Sequence, residues 1–406
     1  MTQIRFGGDH SSARLTYNPV QNFSVVYFGN DWGAENRTSS HHIAKQLSRY
    51  FPVLYVDTPG MRPPSRSRRD LLKIVRITRK FLASPRQIGP QMWHITVPQI
   101  PYRSFPLVER LNRTLGRWLI RRAARRLGFA DRLSWFAVPH PAEMAGHVGD
   151  EFVVYYCIDD YASMAQMDAK RIQRLDDALS SRADVVFVSS QSLLDRKREL
   201  NSRVEYSPHG VDFELFRQVQ DSATAVAEAA RDLPHPIIGY FGSIAHHTDL
   251  ELIAYLARER PQWTFLLIGM ASVDTGELTS LPNVHLPGGQ PYETLPRWAK
   301  AFDVALIPYR PWFAQHSSSL KVREYLACGK PVVTVSTPEI ENYRSVVSIA
   351  STHQEFLAAI ELGLKSDSSE AQQSRQDVVR GYSWEACAAR SRAYVEKLYA
   401  EKKRGA

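Results

Sequence analysis

The sequence predicts an α/β protein of two domains, each built on a parallel sheet. The chain has 406 residues, which is long for one hydrophobic core, so two cores are the natural expectation. Residues 25–28 and 53–56 are compact apolar runs, and residues 41–50 between them are compatible with a helix. A strand, a helix and a second strand in this order are typical of a parallel sheet with helices on its faces.

A second series of apolar strands begins at residue 237, after an alanine-rich stretch that ends in Leu233-Pro234-His235-Pro236. Irregular proline-containing segments of this kind commonly join domains. We therefore expect an N-terminal domain over residues 1–216, a linker over 217–236, a second domain over 237–382 and a C-terminal helix over 383–406.

The cysteine content and the apolar runs exclude several classes of protein. Cys157, Cys328 and Cys387 lie far apart without a CxxC pair, so neither a disulfide framework nor a zinc site is supported. The first residues contain no apolar signal segment, and no apolar run is long enough to span a bilayer. These observations favour a protein of the reducing cytoplasm that meets a membrane only at its surface.

The positive charge of the chain is concentrated at its start. The net charge is +9, but residues 1–130 contain 22 Lys/Arg against 6 Asp/Glu, whereas the rest of the chain is acidic. Two stretches, residues 63–86 and 107–127, place arginines among apolar residues at helical spacing. Each stretch is compatible with a solvated helix packed on a core or with a helix lying on an anionic membrane. Nucleic acid ranks lower because no recognisable nucleic-acid-binding module accompanies the charge.

Residues 317–333 contain the pattern most informative about a ligand. A polar start can cap a helix that carries Lys321 and Glu324, and Gly329 and Pro331 then end this helix before a short valine strand. A helix N-terminus with a lysine favours a phosphate, and Glu324 on the same face can accept hydrogen bonds from a ribose diol. On spacing alone, however, an ordinary surface helix with a Lys321–Glu324 ion pair is the better explanation.

This stretch resembles the donor-site motif of GT-B glycosyltransferases, in which a lysine, a glutamate and a Gly-Lys-Pro-Val-Val ending recur. The resemblance implies that Lys321 contacts the diphosphate of a sugar nucleotide and that Glu324 holds its ribose. It also implies two Rossmann-like domains whose parallel sheets face each other across a cleft. His316 stands where many members that retain the anomeric configuration have a second glutamate, so the sequence departs from the retaining pattern there.

A second match lies at the predicted end of the first domain. Residues 207–212, Ser-Pro-His-Gly-Val-Asp, match the Pro-x-Gly-Val-Asp signature that ends the N-terminal domain in this family. The two motifs and the alternation of strands and helices occur in the family's order over roughly residues 24–400. The chain resembles bacterial exopolysaccharide and cell-wall glycosyltransferases, such as xanthan glucuronosyltransferase and the transferases of teichuronic acid type.

Two adjacent carboxylates, Asp159 and Asp160, follow the apolar strand of residues 152–157. Successive side chains diverge at a strand end, so one carboxylate can face a cleft while the other caps the helix expected near residues 162–179. Asp159 resembles the catalytic base of inverting family members, and a base there needs only to take a proton from an acceptor hydroxyl. Asp160 is the better capping candidate. An acidic metal site is the alternative, but members of the family usually need no metal, so we expect none.

The remaining site residues are assigned from strand ends and from the resemblance. A strand that ends in glycine and serine lets a diphosphate approach the backbone closely. The loop after the first strand lies at the carboxyl edge of the sheet, where α/β proteins place ligands. The expected donor-binding residues are Gly242, Ser243, Met270, Gly288, Tyr309, Ser319, Leu320, Lys321 and Glu324, and the expected acceptor-binding residues are Asp31, Arg37 and Asp160.

The resemblance and the charge together predict a glycosyltransferase that uses a nucleotide sugar, with UDP as the expected nucleotide, and no further cofactor. The expected acceptor is a lipid-linked (polyprenyl diphosphate) or polysaccharide glycan at the inner face of the cell membrane, in exopolysaccharide or cell-envelope synthesis. Three alternatives stay open at this point: a retaining transferase, a sugar-nucleotide epimerase of the same fold, and a non-catalytic module that binds a membrane or nucleic acid.

Overall fold

The computed structural model describes residues 23–33, 37–57, 84–98, 106–163, 168–314 and 319–405. Fourteen strands in this part of the chain form two sheets, one of eight strands and one of six. Of the first basic stretch, residues 63–86, the part up to residue 83 lies outside the described residues. None of the helices within these ranges combines the length and the apolar character that crossing a bilayer requires.

The eight-stranded sheet belongs to the N-terminal part of the chain and has the order β3-β4-β2-β1-β5-β6-β7-β8. All neighbouring strands are parallel except β3, which pairs antiparallel with β4 at one edge. The strands are β1 Ser24–Gly29, β2 Val53–Asp57, β3 Arg86–Gly89, β4 Met92–Thr96, β5 Arg132–Phe136, β6 Phe152–Cys157, β7 Val185–Val188 and β8 Val204–Tyr206.

The six-stranded sheet is wholly parallel and has the order β11-β10-β9-β12-β13-β14. Its strands are β9 Ile237–Phe241, β10 Thr264–Ile268, β11 Val284–Gly288, β12 Val304–Ile307, β13 Val332–Thr334 and β14 Ser348–Ile349. Two parallel sheets with interleaved helices confirm the predicted α/β architecture.

Helices cover both sheets. They are α1 Ser39–Leu47, α2 Pro106–Arg126, α3 Ala169–Arg182, α4 Gln191–Arg198, α5 Phe213–Arg217, α6 Leu250–Glu259, α7 Gly276–Thr279, α8 Leu295–Ala299, α9 Pro311–Ala314, α10 Leu320–Ala327, α11 His353–Ser366, α12 Ser369–Arg380 and α13 Trp384–Arg404.

The central strands are apolar throughout because both of their faces are covered. Along β1, Val25 and Tyr27 belong to one hydrophobic cluster, whereas Val26 and Phe28 belong to the cluster on the opposite face of the sheet. Side chains alternate between the faces of a strand, so a strand buried on both sides must be apolar at every position.

The C-terminal helix α13 returns to the N-terminal sheet. Its residues Trp384, Val395 and Tyr399 join the hydrophobic cluster that also contains β1 and β2 side chains. Trp384 stacks on His42 of α1 with ring centroids 4.7 Å apart. Gly210 leaves room for this ring, since a Cβ there would lie 2.6 Å from an atom of the Trp384 indole.

The helix expected at residues 162–179 starts later than predicted. Tyr161–Ser163 forms a short 3-10 turn, and α3 begins at Ala169 with Asp168 as its N-cap, accepting a hydrogen bond from the Arg171 backbone N–H at 3.1 Å. Asp160 is therefore not the cap of this helix. It pairs instead with Arg196 of α4 at 3.0 Å, because the intervening residues separate it from the helix start.

Replacing Trp384 with alanine is expected to destabilise the protein by about 3–5 kcal/mol, since it empties a buried site that joins α13 to α1. Denaturant unfolding followed by circular dichroism measures this loss. Trp312→Ala is the matched control because that side chain is half exposed and its loss should change the midpoint little. A Trp384→Ala midpoint equal to that of the wild type would contradict the role given to α13.

Candidate active site

The N-terminus of α10 is left open on the side of the predicted donor site. Ser319 occupies the N-cap position in extended conformation, yet its side chain accepts no hydrogen bond from the first turn. The Ser319 hydroxyl instead lies 3.3 Å from the Tyr309 hydroxyl. The positive end of the α10 dipole is thus not satisfied by its own cap, which suits an anionic ligand.

Lys321 is the second residue of this helix and lies against aromatic side chains. Its Nζ donates to the Tyr309 hydroxyl at 2.9 Å and lies over the rings of Tyr309 and Tyr240 at 5.4 and 5.7 Å. Burial alone would lower the pKa of Lys321, but the surrounding Tyr240 and Tyr309 raise it above its usual value. The Lys321 ammonium therefore has a hydroxyl acceptor and two aromatic faces around it.

The glycine loop after β9 lies directly against Lys321. Gly242 has φ +143°, and a Cβ on it would come within 2.0 Å of Lys321 Cε. Only glycine fits both the backbone conformation and this contact. The neighbouring Ser243 carbonyl accepts a hydrogen bond from the Tyr240 hydroxyl at 2.8 Å, which holds the loop in place. Residues about eighty positions apart in the chain are thus brought together.

Glu324 is almost fully buried and forms a hydrogen bond that the sequence did not reveal. The Tyr292 hydroxyl donates to its Oε1 at 3.1 Å. Burial raises the pKa of Glu324 to about 7, against the opposing effect of Lys321. Glu324 and Lys321 form no ion pair with each other among the described residues. The explanation that spacing alone favoured, an exposed helix with a Lys321–Glu324 ion pair, is therefore wrong. In the sequence, the turn at Pro291-Tyr292, soon after the paired glycines 288 and 289, was the feature that could have pointed to Tyr292 as a residue of this site.

Two further strand ends complete this half of the site. The Gly269 N–H donates to the Gly288 carbonyl at 3.0 Å, and the Ile244 N–H donates to the Met270 carbonyl at 3.0 Å. These bonds tie the loops after β9, β10 and β11 to one another. Met270 is half exposed, and Gly288 has φ +82° with open space where a side chain would lie.

His247 packs against two aromatic side chains near Lys321. Its ring stacks on Phe313 at 4.5 Å and meets Tyr309 edge-on at 5.4 Å. Burial, followed by the charge of Lys321, lowers the pKa of His247 to about 4, so the imidazole is neutral. Asp249 caps α6 by accepting from the Leu252 N–H at 3.1 Å.

Asp159 occupies the carboxyl edge of the eight-stranded sheet, directly after β6. The Ser189 hydroxyl donates to the Ile158 carbonyl at 2.7 Å and fixes the backbone before it. Burial, and then the neighbouring Asp160, raise the pKa of Asp159 to about 7. Asp160 is neutralised by Arg196, whereas the Asp159 carboxylate forms no ion pair or hydrogen bond with any residue that the structure describes.

Asp31 and Arg37, the other two residues predicted to bind the acceptor, form contacts within the loop that follows β1. Asp31 is exposed and its Oδ1 accepts from the Gly33 N–H at 2.9 Å. Arg37 donates to the Trp32 carbonyl at 3.0 Å and lies 5.2 Å from the Trp32 ring centroid. Their contacts with an acceptor stay a prediction, and Trp32 is an additional aromatic surface at this edge.

The two halves meet along one cleft. Leu320, beside Lys321, packs against the N-terminal hydrophobic cluster that contains Ile158 and Tyr161, the close neighbours of Asp159. His42 of α1 lies 5.4 Å from Tyr292, ring centroid to centroid. Both contacts place the predicted donor residues of the second half next to the N-terminal half that carries the predicted base.

The chain is similar to known proteins in sequence and in fold. Residues 235–365, which contain the glycine loop, Lys321 and Glu324, match the family described as Glycosyl transferases group 1. The fold, this match and the geometry of the site define a glycosyltransferase of the GT-B class. The protein is an enzyme, and it resembles transferases of the bacterial cell wall.

The curated relative that supports this resemblance is a protein of Bacillus subtilis (strain 168), whose name assigns it to teichuronic acid biosynthesis as the glycosyltransferase TuaH. It is 26% identical over 272 residues, which cover 62% of this chain and 68% of the relative. Among solved structures, sucrose-phosphate synthase from Thermosynechococcus elongatus has a TM-score of 0.68 at 14% identity and covers 93% of this chain and 100% of its own. Anabaena HepE in complex with UDP and glucose has a TM-score of 0.63 at 12% identity, covering 92% and 99%.

Gly242→Ala is expected to weaken UDP binding by roughly tenfold or more, because the added methyl group must displace Lys321 or the loop. Isothermal titration with UDP measures the change. Gly381→Ala serves as the control, since a Cβ at Gly381 meets no atom within 4 Å. Wild-type affinity in the Gly242→Ala protein would show that this contact does not shape the donor site.

Proposed function

We propose that the enzyme transfers a sugar from a UDP-sugar to a lipid-linked or polysaccharide acceptor in cell-envelope glycan synthesis, with inversion at the anomeric carbon and Asp159 as the base. The observation that carries this proposal is the packing of the charged Lys321 against Gly242, with Glu324 on the next position of the same helix face. The ammonium of Lys321 and the glycine loop suit the diphosphate of a nucleotide, and the Glu324 carboxylate suits its ribose.

The choice of UDP is supported by the similar structures. Anabaena HepE was solved with UDP and glucose and also with UDP-glucose. A similar structure from E. coli, with a TM-score of 0.64, contains UDP-2-fluoro glucose. These ligands belong to those proteins, and we extend the nucleotide to this chain because the same fold presents Lys321, Glu324 and the glycine loop.

In the proposed reaction, an acceptor hydroxyl attacks the anomeric carbon while Asp159 takes its proton. The new bond joins the acceptor oxygen to the anomeric carbon, and the bond from that carbon to the diphosphate oxygen breaks. The leaving UDP carries the negative charge that develops, and Lys321, Ser319 and the Gly242-Ser243 backbone stabilise it. Because Asp159 belongs to the N-terminal half and the proposed donor residues to the second half, the acceptor hydroxyl can attack the anomeric carbon from the side opposite the leaving UDP. In this proposal Lys321 and the helix N-terminus serve the role that a metal ion has elsewhere.

The acceptor class is inferred from two sources. The curated relative is named for teichuronic acid biosynthesis, a cell-wall glycan pathway. The N-terminal 130 residues have a strong excess of positive charge, which suits the diphosphate of a lipid-linked acceptor and an anionic membrane around it. We therefore place the enzyme at the inner surface of the cell membrane.

Titration calorimetry of the purified enzyme with UDP, with GDP and with EDTA present tests the donor site. We expect micromolar UDP binding that is independent of EDTA and at least tenfold weaker in Glu324→Ala, because the ribose loses its carboxylate acceptor. Glu228→Ala, an exposed glutamate far from the loops of the site, is the control. A preference for GDP would keep the enzyme class and change the donor, loss of binding with EDTA would restore a metal, and no binding of either nucleotide would refute the donor site.

Asp159→Asn is expected to abolish transfer, by a factor of about 100 or more, while UDP affinity is kept, since the amide cannot take the acceptor proton. Initial rates of UDP release from a panel of UDP-sugars, with bacterial lipid extract as acceptor, measure this effect. The pKa of Asp159 is raised to about 7, so the wild-type rate should increase as the pH rises from 6 to 8.

The matched control is Asp160→Asn. This carboxylate is paired with Arg196, and its removal should leave an active enzyme whose rate still rises with pH. The rise should begin at lower pH, because Asp160 contributes to the raised pKa of Asp159. Normal turnover by the Asp159→Asn enzyme, or loss of turnover only in the Asp160→Asn enzyme, would show that the base has been assigned to the wrong residue.

A further inference from the structure

The outer face of α2 exposes an unusual set of apolar side chains. Leu107 is 78% exposed, Leu111 is 52% exposed and Trp118 is 48% exposed, and these are three of the seven large apolar side chains found exposed among the described residues. Spacings of four and seven residues place all three on one side of the helix. A solvated helix packed on a core does not require apolar residues there, so this side has the character of a contact surface.

Arginines border the same face. The sequence of α2 contains seven arginines and one acidic residue, Glu109. Some of these arginines are engaged within the protein: Arg113 pairs with Glu143 at 2.9 Å, and Arg117 donates to the Glu143 carbonyl at 2.5 Å. Arg126 donates to the Ser84 hydroxyl at 3.2 Å. The remaining four form no ion pair with any described carboxylate; they are Arg110, Arg121, Arg122 and Arg125.

Four guanidinium groups converge on a groove beside this face. The groove has a volume of about 580 Å³, and its lining includes Trp118 and the arginines Arg117, Arg121, Arg125 and Arg132. Burial, followed by the charges of Arg121 and Arg125, lowers the pKa of Arg132. The crowded positive charges repel one another, so an anion in the groove would relieve this repulsion.

The apolar end of α2 lies at the same sheet edge as the candidate base. Glu109 in the first turn of α2 pairs with Arg171 at 2.5 Å, in the first turn of α3. Helix α3 is the next helix after Asp159 in the chain, beyond the short turn Tyr161–Ser163. A helix between parallel strands runs opposite to them, so its start lies at the carboxyl edge of the sheet, where Asp159 is found.

We propose that this face of α2 is the surface by which the protein sits on an anionic phospholipid bilayer. Leu107, Leu111 and Trp118 enter the headgroup region, and the groove arginines bind lipid phosphates. The side chains match this partner and not its competitors. Leu107 and Leu111 have no counterpart in a phosphate backbone of nucleic acid, and a second copy of the chain would bring two arginine-rich faces together.

The first turn of α2 lies at the edge of the sheet that holds Asp159, so a bilayer lying along this helix would bring an acceptor held in it toward the cleft. That consequence rests on the proposed function, whereas the binding of lipid does not. The two can therefore fail separately: UDP titration tests the donor site, and a vesicle assay without nucleotide tests the face of α2.

Sedimentation of the full-length protein with vesicles tests the proposal. We expect binding to phosphatidylcholine vesicles that contain phosphatidylglycerol, little binding to phosphatidylcholine alone, and weaker binding at high salt. Leu111→Ser/Trp118→Ser and Arg121→Glu/Arg125→Glu should each reduce binding by about tenfold or more while UDP affinity is unchanged.

Matched controls carry the same chemical changes elsewhere. Arg198→Glu/Arg231→Glu has the same change in net charge at exposed arginines, and Leu362→Ser removes an exposed leucine of the second domain. Both controls should bind vesicles like the wild type. The proposal is overturned if the wild type does not bind anionic vesicles, if the α2 variants bind as well as their controls, or if those variants lose binding to an RNA duplex and not to vesicles.

Discussion

The contact between Lys321 and Gly242 is the constraint on which the donor half of the enzyme depends. A charged ammonium is stable in this buried place only because aromatic faces and the Tyr309 hydroxyl surround it. The close approach of its side chain in turn requires a residue without a Cβ at position 242. The lysine is therefore held in position by the protein itself, and in the proposed reaction it could stabilise the leaving group without reorganising.

A small group of aromatic side chains joins the N-terminal part of the protein to the second domain. His42 lies between Trp384 of the C-terminal helix and Tyr292 of the second domain, and the Ser39 hydroxyl lies 2.6 Å from His209 Nδ1. Burial lowers the pKa of both His42 and His209 to about 3, so these rings pack as neutral groups. Tyr292 also donates to Glu324, and this group of side chains thus reaches directly into the donor site.

Asp159 and Asp160 are adjacent at the end of a strand, yet their carboxylates lie in different surroundings. One side chain turns toward Arg196 and is neutralised there, while the other stays without a described partner in a largely desolvated place. Desolvation raises the pKa of a carboxyl group toward neutrality, where a general base is most effective. In the proposed reaction, this raised pKa would suit Asp159 to take the acceptor proton.

The sequence by itself determined the fold class and the order of the elements, because these depend on local periodicity. Its short motifs singled out Lys321 and Glu324, whose contacts with a donor stay a prediction. It misplaced the start of α3 and the role of Asp160, and it did not reveal Tyr292 as the partner of Glu324. Only the tertiary structure decided these points, and it also decided which side of α2 is exposed. Such contacts join residues tens to hundreds of positions apart, and no local pattern records which side chains the packing of two sheets brings together.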